Sequence, residues 1–235
     1  MTSITKCIER VRKRIADAAR RAGREVDEIQ LIAVSKTRNL DDIRFAVASD
    51  IMDFGENYLQ EARGKISEIG LDGLKWHFIG TLQKNKTQQV ANLFDWVHSV
   101  DRIEIAKRLS MHRDMQLPPL NICLQINIDN ESTKSGFKIE QLSKTVEQVI
   151  ELPQLVLRGL MAIPASKTAE VDQRRAFAKL RHTQAAINNG LDSSDKLDTL
   201  SMGMSQDLEA AILEGATIVR VGSDIFGPRL KDATN

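Results

Sequence analysis

Lys36 ends the apolar run in "IAVSKT", residues 32–37, and a lysine where a buried strand stops has two readings. It is a solvated cation, as an arbitrary lysine beside a strand generally is. Or it is an amine kept from water, whose lowered pKa frees it to attack an aldehyde and form a Schiff base. A second group of chemically apt residues lies near the other end of the chain. "SMGMSQDLEAA" puts Ser201 and Gly203 in a tight loop, then Ser205 as the N-cap of a helix with Asp207 in its first turn. Free N–H groups at such a terminus attract an anion. In "RVGSDIFG", Gly222 permits close backbone approach and Ser223 adds a hydroxyl beside it. Each loop alone reads as an ordinary turn; together they read as a phosphate site. Arg220, two residues before Gly222, stands where strand alternation can aim it at the same place, or where it can serve a structural ion pair.

The segments that must position these groups alternate regularly. Ile4, Ile8, Val11, Ile15, Ala18 and Ala22 recur at helical spacing with Arg and Lys on the other faces, and Gly23 stands where that helix would stop. "IQLIAVS" has no polar alternation, which fits a strand buried on both faces of a parallel sheet. Strand-like and helix-like runs then alternate: "IMDFG" before "ENYLQEARGKISEIG", "KWHFIG" before "KNKTQQVANLF", "DWVHSV" before "RIEIAKRLSMHR". "NICLQINI", "LVLRGLMAI", "KLDTLSMG" and "TIVRVGSDIFG" continue the series, the first three each followed by a helical pattern. Eight strand candidates with no Pro- or Gly-rich break predict a single-domain (β/α)8 TIM barrel over residues 1–235 rather than an open doubly wound sheet, with the N-terminal helix as an extra element. Such barrels carry their functional groups at the C-terminal ends of the strands and often hold phosphate between the loops after strands seven and eight.

Composition bounds the function classes. Thirty-three Lys and Arg against 32 Asp and Glu give a formal net charge of +1, so no overall field draws the chain to nucleic acid or an anionic membrane, and neither is expected as a partner. The basic start has no continuous apolar segment; Glu9, Asp17 and its apolar spacing favour a folded helix over a transit peptide, and the cytoplasm is the expected compartment. Cys7 and Cys123 lie too far apart in sequence for a metal-type spacing or a disulfide framework. His77 and His98 end the third and fourth runs and could face the barrel mouth, though satisfied structural histidines are the plainer reading.

In combination, "IAVSKT", "FGENYLQE", "WHFIGTLQKNK", "GLMAIP", "LSMGMSQD" and "RVGSDIFG" resemble the pyridoxal phosphate homeostasis protein family, from the first helix to about residue 229. The resemblance implies a barrel of the alanine racemase N-terminal domain type carrying pyridoxal 5′-phosphate (PLP) as a Schiff base on a lysine, which matches Lys36. It implies phosphate loops matching Ser201, Ser205, Gly222 and Ser223, a pyridine-facing arginine matching Arg220, and a pocket residue near the ring's phenolic oxygen matching Asn57. An arginine facing the ring nitrogen keeps it unprotonated, so the ring withdraws electrons less strongly.

On this reading the chain stores, delivers or buffers PLP in vitamin B6 homeostasis, with indirect effects on amino-acid metabolism and no established catalytic activity. PLP-dependent apoenzymes are the candidate recipients, and a monomer is expected. A two-base racemase of this barrel type needs a second acid/base opposite the cofactor, supplied in alanine racemases by a tyrosine of an additional β-domain. Here the chain ends soon after "IFGPRL", and the one tyrosine, Tyr58, begins the helix after the second strand and reads as packing or surface. Two other readings stay open: a PLP-dependent amino-acid racemase or lyase of modest activity, and a cofactor-free Schiff-base aldolase using Lys36. Lys84 and Lys86 read as solvated charges, and "DNESTKSGFK", residues 129–138, as a lid or an ordinary surface loop. Met161, Met202 and Met204 read as pocket lining or core filling.

Overall fold

The computed structural model describes residues 3–131, 134–166 and 169–228. Among them, eight parallel strands close into a barrel in sequence order, the first paired to the last. The strands are β1 (Gln30–Val34), β2 (Asp53–Glu56), β3 (Lys75–Phe78), β4 (Trp96–Val100), β5 (Leu120–Gln125), β6 (Leu155–Met161), β7 (Thr199–Ser201) and β8 (Ile218–Val221). Helix α1 (Ile4–Ala22) precedes them. The connecting helices are α2 (Leu40–Val47), α3 (Leu59–Ile69), α4 (Thr87–Leu93), α5 (Ile103–His112), α6 (Leu142–Ile150), α7 (Glu170–Asn188) and α8 (Leu208–Leu213), and α9 (Ser223–Phe226) follows β8. This is the (β/α)8 architecture expected from the runs of apolar residues. Ile32, Ala33, Val97 and Leu124 are fully buried because helices cover the barrel outside while side chains fill it inside, leaving no solvated strand face to alternate toward.

Helix α1 forms where its pattern and caps agree. Ser3 Oγ accepts the Lys6 N–H at 3.3 Å, and Gly23, at φ 66°, ends the helix while the Arg24 N–H reaches back to Ala19 O at 3.0 Å. Its buried stripe, Ile8, Val11, Ile15 and Ala18, packs against α8, α9 and α2. Burying each large aliphatic side chain contributes about 1.5–3 kcal/mol. The extra helix therefore lies beside the loops after β7 and β8.

Two boundaries differ from expectation. Strand β1 stops at Val34, so Lys36 sits in a turn beyond the sheet rather than at the strand's last position. Helix α8 begins at Leu208, not at the Ser205 cap expected from the sequence; residues 205–207 form a turn, and Asp207 occupies the cap position. No helix among the described residues is long and apolar enough to cross a membrane. Of the expected lid or loop at 129–138, residues 132 and 133 lie outside the described residues.

Candidate functional site

The C-terminal ends of the strands surround a cavity of about 330 Å³. Lys36, Asn57, Ser205, Arg220, Gly222 and Ser223 all line it. Ser201, grouped with them from the sequence, does not; its side chain is fully buried beneath Arg220.

The turn that carries Lys36 is held from below and beside. The Ser35 N–H donates to Gly55 O at 3.0 Å and Ser35 Oγ to Glu56 Oε1 at 2.6 Å. Lys65, on α3, donates from Nζ to Ser35 O at 2.6 Å, Glu56 Oε1 at 2.7 Å and Glu61 Oε1 at 2.5 Å. Glu61 also accepts the Thr37 N–H. Thr37 has φ 61°, a left-handed conformation that a β-branched residue adopts only when its surroundings impose it. Those surroundings are the Lys65 and Glu61 contacts on either side of Lys36. Burial pushes the Glu56 carboxyl above the usual carboxylate range, against the pull of Lys65 and Ser35.

Asn57 follows β2 directly and reaches the cavity because the chain opposite is glycine. A Cβ on Gly80 would lie 2.1 Å from Asn57 O, so no larger residue fits there. Asn57 Oδ1 is buried without a hydrogen-bond partner. A buried amide oxygen left unmet is costly, and a donor from a bound molecule would satisfy it.

Serines from the last two loops meet at the other side of the cavity. Ser223 Oγ donates to Ser205 Oγ at 3.0 Å, and the Asp224 N–H approaches the same Ser205 oxygen at 3.4 Å. Gly203 has φ 93°, and a Cβ there would fall 2.6 Å from Ala211 Cβ, so glycine is needed to turn the chain onto α8. Asp207 Oδ1 accepts the Met204 N–H at 2.6 Å and folds residues 204–207 into a turn, which is why α8 starts three residues later than Ser205. Burial pushes the Asp207 carboxyl up, partly offset by that N–H and by Arg220.

Arg220 is 3% exposed and its described partners are uncharged: Ser201 Oγ at 2.5 Å and Ala162 O at 3.1 Å. Of its two sequence readings, the one facing the barrel mouth matches this placement. Burial pulls the guanidinium down to about 10, with Asp207 opposing, so it stays cationic at neutral pH.

Arg38, which sequence reasoning missed, also lines the cavity. Its Nη2 donates to Gly227 O at 2.6 Å and Pro228 O at 2.9 Å, and its guanidinium carbon lies 5.9 Å from the centroid of the Phe226 ring. The available signal was its place in the same strand-end segment as Lys36. Met204 is in the lining, whereas Met161 and Met202 are fully buried outside it. Tyr58 is 55% exposed and, like Lys84, Lys86 and the described residues of 129–138, takes no part in the cavity wall. His77 and His98 are fully buried inside the barrel, and no cluster of metal-ligating side chains occurs among the described residues.

An amine, an unmet amide, a buried guanidinium and a pair of hydroxyls around one cavity suit an aromatic aldehyde with an anionic tail, and these residues therefore fit the cofactor that the sequence resemblance implies. The chain is 52% identical to the pyridoxal phosphate homeostasis protein of Pseudomonas aeruginosa over 229 residues, 97% of each chain. It is 47% identical to that of Escherichia coli K12 over 232 residues, 97% of this chain and 98% of the other. The structure of PipY from Synechococcus elongatus with PLP bound is similar at a TM-score of 0.79 and 36% identity, covering 91% of this chain and 100% of PipY. The family defined by the N-terminal domain of alanine racemase matches residues 8–229. With near-complete coverage in both directions, the chain belongs to the pyridoxal phosphate homeostasis protein family, built on the alanine racemase N-terminal domain.

Proposed function

We propose that this chain binds PLP, holds it as a Schiff base on Lys36, and serves intracellular PLP homeostasis in the cytoplasm by storing the cofactor and delivering it to PLP-dependent apoenzymes. The observation that carries this reading is the convergence of Lys36, Asn57, Arg220, Ser205 and Ser223 on one cavity. Bound PLP supplies an electrophilic carbonyl and an aromatic ring able to accept electron density. Lys36 supplies the amine. The Asn57 amide would stand toward the phenolic group, whose O–H would donate to the buried Oδ1 that lacks a partner. Arg220, cationic at neutral pH, would offer a donor to the ring nitrogen, and Ser201 acts one step away by holding Arg220. The Ser205 and Ser223 hydroxyls, with the backbone of Gly222, receive the phosphate, and Arg38 adds positive charge to the same wall.

The same wall favours a carrier over a catalyst. Among its described residues, Lys36 and Asp207 are the groups suited to proton exchange, and Asp207 is engaged by the Met204 N–H. A two-base reaction needs a further acid/base on the opposite ring face. Relatives at 52% and 47% identity are named for homeostasis. The test is an absorbance titration with PLP: a visible imine band in the wild type and none in Lys36→Ala. Turnover of an amino-acid panel at a rate proportional to protein concentration would replace the carrier reading with an enzymatic one.

A further inference from the structure

A file of polar side chains runs through the barrel interior. Asp53 opens β2 at the N-terminal end of the barrel, where its side chain is 20% exposed. His77 Nε2 lies 3.0 Å from Asp53 Oδ1, and His77 Nδ1 lies 3.0 Å from His98 Nε2. His98 Nδ1 lies 2.7 Å from Ser201 Oγ, which Arg220 Nη1 reaches at 2.5 Å. The file connects the guanidinium in the cavity wall to a carboxylate at the opposite end of the barrel.

The two ends dictate where every proton sits. A guanidinium only donates, so Ser201 Oγ accepts from Arg220 and its own proton is free for His98 Nδ1, the direction that a carboxylate acceptor at the far end requires of two neutral rings. His98 then carries its proton on Nε2 and donates to His77 Nδ1. His77 in turn donates from Nε2 to Asp53, whose carboxylate only accepts. All contacts are satisfied when both rings are neutral and protonated on Nε2. Burial lowers both imidazoles from their ordinary value of 6.5, His98 well below it. At Asp53, burial acts to raise the carboxyl, but the His77 and Gln30 contacts outweigh it and leave it lowered.

Aliphatic residues of the same shape would fill this space at little or no cost in stability, so stability alone gives no reason for a four-residue polar file. Its geometric product is a guanidinium held on both Nη atoms, by Ser201 and by Ala162 O. We propose that Asp53, His77, His98 and Ser201 form a polarised relay that orients Arg220 toward the ring of the bound cofactor, with His77 and His98 as positioning residues. This rests on the reading of the cavity as a PLP site. A chain of bonds aligned in one sense, ending on a carboxylate, strengthens each member and fixes the rotation of the group at its head.

The first test needs no cofactor. The chain has four histidines, so 15N-labelled imidazoles of the unloaded protein can be assigned with single-residue variants. Long-range 1H–15N spectra at neutral pH are expected to show His77 and His98 both protonated on Nε2 alone; a proton on Nδ1 of either ring, or on both nitrogens, overturns the relay. The second test compares PLP-loaded His98→Leu with His98→Gln, since glutamine keeps one donor and one acceptor. The leucine variant is expected to retain PLP but to change the ratio of visible to near-ultraviolet imine absorbance roughly fivefold, about 1 kcal/mol for one net hydrogen bond, and the glutamine variant to restore it. Spectra of both variants identical to wild type would overturn the positioning role. If the wild type takes up no PLP, the cavity reading fails, while the imidazole spectra still decide the relay.

Discussion

The Arg14 guanidinium donates from Nη2 to the carbonyl oxygen of Ser205 at 2.9 Å, joining the extra N-terminal helix to a turn that lines the cavity. The same side chain holds Glu209 at 2.6 Å and 2.8 Å and also pairs with Asp224. It thus ties together the turn after β7, helix α8 and helix α9, the pieces that bring Ser205 and Ser223 face to face.

Replacing Arg14 should therefore weaken PLP retention without altering any group in the cavity wall. Arg14→Met leaves two carboxylates uncompensated close to the proposed phosphate position and frees the Ser205 carbonyl. Equilibrium dialysis is expected to show roughly tenfold weaker retention, the scale of one hydrogen bond to a charged group. Unchanged retention with a lowered Tm would reduce Arg14 to a brace of the fold.

The two serine positions should separate by phenotype. Ser205→Ala with Ser223→Ala removes both hydroxyls from the cavity and is expected to lower PLP retention roughly tenfold or more. Ser201→Ala removes the hydroxyl beneath Arg220 and is expected to alter the absorbance spectrum of the loaded protein while retention stays near wild type. Equal loss of retention in both variants would place Ser201 with the phosphate after all.

Lys65 should matter for stability and for Lys36 together. Its side chain is 7% exposed and its partner Glu56 is fully buried, with Glu56 Oε2 already lacking a partner. Lys65→Met strands that carboxyl, and loss of one member of a buried pair costs roughly 3–5 kcal/mol. Urea unfolding is expected to report this, and Lys65→Met with Glu56→Leu to recover most of it. Because Lys65 also holds Ser35 O, the double variant should still form the imine more slowly than wild type; an unchanged rate would mean that the turn needs no such support.

The buried histidines give stability a defined pH dependence. His77 and His98 have folded-state values below 6.5, so as pH falls through 6.5 the unfolded chain takes up protons that the folded chain refuses. Stability is thus intact above that value and declines below it, by up to about 1.4 kcal/mol per pH unit for each ring, until the lowered folded-state values are reached. Urea melts should show the decline in the wild type and a flatter profile in the His77→Gln, His98→Gln double variant. Equal slopes would show that the rings are not neutral in the fold.

The barrel is legible in the sequence because its strands are short β-branched and aliphatic runs without alternation, each followed by a helical spacing. Lys36 and Arg220 are legible because strand ends in such barrels face the mouth. Ser201 is harder: β7 has only three residues, too few for its alternation to be read against its neighbours, so nothing local separates a loop hydroxyl from one pointing inward under Arg220. The start of α8 is ambiguous because Ser205 and Asp207 are both good caps; Asp207 takes the local Met204 N–H, while Ser205 is engaged by Ser223, a tertiary partner that no local pattern reveals. Arg14 and Arg38 act across nearly the whole chain length on partners that no local pattern links to them. The file from Asp53 to Arg220 draws on five strands and exists only when the barrel closes.

The most direct measurement is borohydride reduction of the PLP-treated protein followed by peptide mass spectrometry. The account predicts one reduced pyridoxyl phosphate adduct per chain, on the peptide containing Lys36, and none there after Lys36→Ala. An adduct spread over surface lysines, or a stoichiometric adduct on a lysine other than Lys36, would contradict it.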